Sequence, residues 1–401
     1  MHAALIWIIA ALTIALMLCS ASSLCLAQAK NPTWKKLQLT DKFYCEGAYY
    51  ADFNKDGKLD IVSGPYWYEG PDFSKKHELR PVKAYDPKEY SDNFLTYVAD
   101  LNADGYPDVI SIPFPGRDGF WYENPQGKDE HWKAHLYGKD IGDESPMMAD
   151  IDGDGKLELL CCQANAIGYL KPDPANPDQP WKFTTINKAN YGIFTHGIGV
   201  ADIKGDGKLC LLEAKAWWEP PGTPGQRWIK HPFTFADAAC EMYSYDIDGD
   251  GLNDVVTSWH CHQYGLVWWK QVRSASGQIS FQKHQIMGSK PDENDAGLKV
   301  SQLHAIDIAD MNGDGLKDIV TGKRFWSHGP TGDVEPNAPA MLMWFELKRD
   351  KDKGAYFVTH AIDDNSGVGT QVCAGADLNG DSIPDVIVGN KKGTFIFLSQ
   401  K

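Results

Sequence analysis

Three features of the 401-residue sequence predict an all-β fold, a closed seven-bladed β-propeller of four-stranded blades. A short acidic loop recurs seven times, starting at residues 52, 100, 150, 202, 246, 310 and 377. Self-similarity at a period of this kind marks a propeller, solenoid or array. Each loop is flanked by short runs rich in β-branched and aromatic residues, broken by Gly, Pro and Asp, which read as strands. The last repeat has no fourth strand of its own, and the missing pattern, WKKLQL at 34–39, stands ahead of the first. The N-terminal strand is therefore expected to complete the last blade and close the ring, leaving only short, protected edges. An open array would need capping units instead.

Within each repeat, strand A ends at the first Asp of the loop. Strand B follows it: IVSG, VISI, LLCC, CLLE, VVTS, IVTG, VIVG. Strand C is aromatic: YWYEG, FWYENP, IGYLKP, WWEPP, VWWKQ, MWFEL, FIFL. A fourth strand carries a loose W/F-x-x-H pattern at 132, 181, 228, 281 and 357.

The loop itself has metal-ligand spacing. In DMNGDGLKD, Asp310, Asn312 and Asp314 occupy positions 1, 3 and 5, Gly315 follows, and Asp318 is at position 9. Alternating oxygen ligands, a glycine at the sharp turn and a carbonyl at position 7 suit a hard cation such as Ca²⁺, which takes 6–8 oxygens. An EF-hand begins this way but ends in Glu at position 12 between helices, whereas Thr321 stands here and a strand continues. The other sets are Asp52, Asn54, Asp56 and Asp60; Asp100, Asn102, Asp104 and Asp108; Asp150, Asp152, Asp154 and Glu158; Asp246, Asp248, Asp250 and Asp254; and Asp377, Asn379, Asp381 and Asp385, where Ser382 replaces the glycine. The copy at 202 is degenerate: Lys204 holds position 3 and its ammonium can stand in for the cation. About six Ca²⁺ sites are expected. A metal-free, Asx-rich hairpin turn is the plain alternative for any single copy.

The D-x-[DN]-x-D-G-x-x-D loop followed by a hydrophobic strand resembles the FG-GAP/VCBS repeat of the integrin α-chain head. The resemblance covers nearly all of the chain after its N-terminal segment. It implies the propeller and the calcium loops and says little about function, which lives in sites placed on a fold. THGIG, SQLHA, GKRFW and DDNSGVGTQ are similar, more loosely, to bacterial VCBS proteins akin to the propeller domain of the aldos-2-ulose dehydratase (anhydrofructose dehydratase) family. That resemblance implies a metal-assisted lyase acting on a keto-sugar at the channel mouth. The cupin-like domains of that family have no counterpart here.

Residues 3–18 are apolar, and Ala27 and Ala29 form an A-x-A pattern. This resembles a secretory signal cleaved after Ala29, giving one domain over 30–401 that is secreted or periplasmic. The absence of Lys or Arg in the n-region keeps an uncleaved anchor as the alternative. No other stretch is long and apolar enough to span a membrane. The formal charge is −15. About six Ca²⁺ would return roughly +12, so the acidity belongs to the loops, and nucleic acid is not an expected partner. Seven cysteines follow residue 29, at 45, 161, 162, 210, 240, 261 and 373, an odd number without C-x-x-C. Cys45 with Cys373, or Cys240 with Cys261, are possible pairs; small buried hydrophobes are the other reading.

In a propeller, strand A lines the central channel and the loops occupy one face, so the residues entering strand A meet the B–C loops on the opposite face. Six positions before each first Asp stand Glu46, Phe94, Glu144, His196, Cys240, His304 and Gln371. The B–C loops add Tyr66, Trp67, Gln163, Asn165, Lys215, His260, His262, Tyr264, Lys323, Arg324, His328, Asn390 and Lys391, and the last entry loop adds Asp363 and Asp364. Two chemistries fit. His196 and His304, with His260 or His262 and Glu144, suit one Zn²⁺ or similar divalent ion with an open position. Alternatively, a metal-free histidine and carboxylate perform acid–base catalysis, with Lys323 or Arg324 stabilising an oxyanion. Trp67 and Tyr264 would suit stacking on a sugar. His135, His231, His284 and His360 repeat at one outer position and read as structural. A non-catalytic module binding a glycan or a protein partner is the competing function.

Overall fold

The structure, a computed structural model, describes residues 31–400 except Pro224; the predicted signal segment lies outside the described residues. The described chain is all-β, its one helical turn being the 3₁₀ segment Pro291–Glu293. Five sheets have four strands and one has seven. The first repeat contributes Ala48–Ala51, Asp60–Ser63, Tyr66–Tyr68 and Lys76–Glu78, hydrogen-bonded in that order. The seven-stranded sheet holds the second and third repeats, joined by one long strand, Lys133–Ala149, which is the fourth strand of one and the first strand of the next. In the last sheet, Thr33–Thr40 pairs antiparallel with Gly393–Gln400, from Thr33 opposite Gln400 to Thr40 opposite Thr394.

First strands of neighbouring repeats touch along most of the series, the fifth and sixth repeats meeting through Asp254–Ser258 against Leu303–Ala309, and Cys373–Ala376 of the seventh touches Ala48–Ala51 of the first. Polar side chains bridge them. Glu241 Oε2 accepts from the Ile306 amide at 3.1 Å and Asp307 Oδ2 from Ala374 N at 2.8 Å. The apolar side chains between neighbouring sheets form separate clusters. Ile61, Tyr68 and Phe73 of the first repeat, for example, pack with Leu378, Ile387 and Ile396 of the seventh.

The aromatic third strand and the fourth-strand histidine are one device. Antiparallel register sets Trp67 opposite His77, Trp121 opposite His135, Trp217 opposite His231, Trp268 opposite His284 and Trp344 opposite His360. Each imidazole stacks on its indole, with centroids 3.7 to 4.4 Å apart. Four of them also hydrogen-bond a glutamate two residues past the Trp, as His135 does to Glu123 at 2.8 Å. These histidines are structural, as their period predicts. His77 belongs with them, although its strand of three residues is too short to show the pattern. Trp67 is therefore taken up inside its sheet, 3% exposed, and is not a sugar platform. All seven cysteines of the described chain are free, buried thiols, so neither suggested disulfide forms. Cys45 instead bonds Ser63 Oγ at 3.1 Å.

Candidate functional sites on two faces

The repeated loops share one geometry. The position-1 carboxylate accepts the backbone N–H groups of positions 5 and 6, as Asp310 does from Asp314 at 3.0 Å and from Gly315 at 2.8 Å. The turn needs a positive φ at position 6, which glycine supplies in six repeats; Ser382 adopts φ 69° in the seventh. The position-9 acids are fully buried and act as staples. Asp318 accepts from Met311 N at 2.9 Å and from Leu347 N at 2.8 Å, tying the loop to the third strand. Asp60, Asp108 and Asp385 do the same. Asp254 also takes the Trp268 indole N–H at 2.9 Å. Burial raises their pKa values, Asp318 to about 8. In every loop but the one at 202, the side-chain donors at positions 1, 3, 5 and 9 include hard oxygens, the set a Ca²⁺ ion takes, and a carboxylate oxygen bonded to one N–H keeps a second lone pair.

On the other face, four of the six predicted catalytic residues converge. His196, His262, His304 and Cys261 each place a ligand atom within 4.8 Å of the others. Glu144 Oε2 lies 3.2 Å from His304 Nε2 and 3.6 Å from His196 Nε2. Arg324 donates to Glu46 Oε2 at 2.9 Å, and its Nη1 lies 3.1 Å from His304 Nε2 and 3.5 Å from Glu144. His196 and His262 face each other, Nε2 to Nε2, at 3.0 Å. His196 Nδ1 is committed to the Phe194 carbonyl at 2.9 Å, which can only accept, so in the neutral ring its Nε2 is bare. His262 Nδ1 lies 3.4 Å from Ser327 Oγ and 3.8 Å from Asp333, which favours its proton there too. Burial, then the charges of His304 and Arg324, push His262 far below its usual range; burial and Arg324 lower His304 to about 4. Burial would raise Glu144, but the His304 hydrogen bond and the His304, His196 and Arg324 charges hold it well below the carboxylate range. His304 Nδ1 and Glu46 Oε1 are buried with no hydrogen-bond partner.

Two predicted residues do not join this centre. Lys323 is buried and donates to Ser301 Oγ at 2.8 Å; burial lowers it to about 8. Neighbours in a strand point to opposite sides, so Lys323 and Arg324 cannot both face the mouth. His260 turns to Gln263, and His262 takes the place allowed to either. Tyr264 lies beside Lys299, Lys215 pairs with Asp237 and Asp363 with Lys36, all away from the histidines. Asp333 is an addition that no periodicity signals. Its carboxylate accepts from His328 Nδ1 at 2.8 Å and orients that exposed ring. Tyr90, Phe94, Phe114 and Phe194 form an aromatic wall beside it, with Phe194 50% exposed.

Residues 100–161 match a model described as an FG-GAP-like repeat, and residues 368–395 match the FG-GAP repeat. No curated protein matches the chain in sequence. Among solved structures, it is similar to an Agrocybe aegerita lectin described as recognising non-reducing terminal N-acetylglucosamine. That likeness has 19% identity and a TM-score of 0.46, covering 84% of this chain and 82% of the lectin. It is also similar to BBS1N, described in complex with ARL6DN, at 10% identity and a TM-score of 0.52, covering 93% and 98%. Among the described residues no helix is long and apolar enough to cross a membrane. With two repeat matches and sheet after sheet of the same four-stranded plan, the chain carries FG-GAP repeats on an all-β, propeller-type plan.

Proposed function

We propose that residues 30–401 form one secreted domain, a closed seven-bladed ring with calcium in its loops, whose opposite face carries a metal-assisted lyase site for a hydroxylated carbonyl compound such as a keto-sugar. The strand shared by the second and third repeats supports counting two blades in the seven-stranded sheet, and the pairing of Thr33–Thr40 with Gly393–Gln400 supports closure through the N-terminal strand. The observation that carries the site is the pair of bare Nε2 atoms of His196 and His262, 3.0 Å apart, with a ring nitrogen of His304 within 4.8 Å of both. Two lone pairs aimed at each other repel unless a proton or a cation lies between them. Three histidines match the three protein ligands of a catalytic centre that keeps its fourth position open, with Glu144 close beside them.

A divalent ion held there would act as a Lewis acid on a carbonyl oxygen. His328, its Nδ1–H held by Asp333, keeps Nε2 free to take the proton α to that carbonyl. The β-hydroxyl then leaves, and the proton returned by His328 makes it water. Arg324, fixed by Glu46, holds His304 and Glu144 in place. Phe194, Phe114 and Tyr90 offer the stacking surface that Trp67 and Tyr264 do not.

Elemental analysis of the purified protein beside His196→Ala and His262→Ala tests the centre. One transition ion per chain, lost in both variants, together with formation of an enone from keto-sugars, is expected. Wild-type protein free of transition metal and inert toward such substrates would overturn the lyase reading. The half-exposed Phe194 wall favours a second reading, a glycan-binding module; saturable glycan binding lost in Phe194→Ala without turnover would establish it.

A further inference from the structure

Six of the seven loops differ at one linked pair of positions. One is loop position 3. The other is the third-strand residue opposite position 9, which reaches down over the loop. In the seventh, Asn379 has Leu398 where the others place a charged partner. In the first, second and sixth repeats the pair is Asn and Glu: Asn54 with Glu69, Asn102 with Glu123, Asn312 with Glu346. Asn312 Nδ2 donates to Glu346 at 2.8 Å and Asn102 to Glu123 at 3.2 Å. In the third and fifth repeats the pair becomes Asp152 with Lys171 and Asp248 with Lys270. In the fourth it is inverted, Lys204 with Glu219, joined at 2.7 Å.

The lysines do more than pair with position 3. Lys171 Nζ lies 2.5 Å from Asp152, 2.7 Å from Asp154 and 3.2 Å from Glu158. Oxygens of Asp150, Asp152 and Glu158 gather within 4.8 Å there. Lys270 bonds Asp248 and reaches Asp250 at 3.2 Å, beside the matching group of Asp246, Asp248 and Asp250. One ammonium thus touches the position-3 and position-5 carboxylates together, which is where a Ca²⁺ ion would take its oxygens. Lys348 also approaches a loop, 3.7 Å from Asp314, but it is held by Glu346. The Asn–Glu pairs carry a net negative charge. The Asp–Lys and Lys–Glu pairs are neutral within themselves, and the Lys–Glu pair belongs to the repeat whose loop sequence already refuses a cation.

We infer that Lys171 and Lys270 are tethered cations that take the place of Ca²⁺ in the third and fifth loops, so that calcium loads the loops with Asn at position 3 and about four sites fill instead of about six. This rests on the calcium reading above. The ammonium repels an incoming divalent ion and already neutralises the carboxylates that would attract it. Ion binding is then confined to the first, second, sixth and seventh repeats, with a lysine-closed or degenerate loop in each of the third, fourth and fifth.

The test is calcium stoichiometry by elemental analysis after loading with CaCl₂ and desalting, on wild type and on Lys171→Met/Lys270→Met. About four ions in wild type and two more in the double variant are expected. A reciprocal graft, Asn54→Asp/Glu69→Lys, should lose one ion and keeps the test open should the methionine variant fail to fold. About six ions in wild type, or four with no gain in the folded variant, would overturn the inference and leave calcium loops standing. A wild type with no calcium would overturn both.

Discussion

The two faces of the molecule are built by opposite means. On the loop face, one nine-residue pattern is repeated, and each copy is held by its own backbone: Asp310 closes its turn with N–H groups four and five residues on. On the mouth face nothing repeats. Glu46, Glu144, His196, His262, His304 and Arg324 come from five different repeats, and single contacts span up to 278 residues of sequence. The loop face shows that a local motif can be copied and then tuned copy by copy. The mouth shows that a site made by convergence has no spare copy, so that each loss there is felt whole.

Chelation should separate the faces most strongly. A site held at 100 times its dissociation constant contributes about 2.7 kcal/mol, so removing several ions with EGTA should lower the unfolding midpoint by on the order of 10 °C. An unchanged midpoint would mean that the Asx turns alone hold the loops. Next comes Arg324→Met. It leaves Glu46 and Glu144 buried without their guanidinium, and a cost of about 3–5 kcal/mol in denaturant unfolding is expected. The exposed loop-face pair broken by Lys75→Met should leave denaturant unfolding nearly unchanged. Similar values for the two would show that water reaches the mouth centre.

The mouth should also respond to acid. His304 falls from 6.5 to about 4, because burial and Arg324 disfavour its charged form. Unfolded chains take up this proton near pH 6.5 and the folded protein only near 4. Its contribution is therefore complete above about 6.5 and is lost as the pH falls toward 4, with a slope of about one proton. His304→Gln should flatten that part of a stability–pH curve; an unchanged slope would assign it to other groups. The smallest effect lies on the loop face. Ser382→Gly relieves φ 69° and should stabilise by about 0.5 kcal/mol, part of the gain being offset by the freer unfolded chain. A loss would mean that the serine hydroxyl holds the turn.

The same contrast explains what could be read from the sequence. Repeats, strands and loop positions are local and periodic, so Asp310 announces its role within nine residues. The ring of Glu144, His196 and His304 was legible because the repeat fixes which strand lines the channel and hence which position faces the mouth. Arg324 and Lys323 stood together in GKRFW, and only the alternation of a strand separates them. His262 and Asp333 lie in irregular segments that no period positions. The pairing of Lys171 with Asp152 needed register, because the two stand 19 residues apart in sequence, and Lys270 stands 22 from Asp248.

Glu144 sits on the strand Lys133–Ala149, whose two ends serve different repeats within the one seven-stranded sheet. That strand gives the mouth a stiff side and a compliant side. Ladder hydrogen bonds brace Glu144 from both directions, through Trp121 opposite His135 and through Leu160 opposite Met147. His196, His262 and His328 are carried instead on irregular segments. Amide exchange should therefore be slow around Glu144 and fast around the histidines, and accommodation of a ligand should come from the histidine side, closing against a carboxylate that holds still.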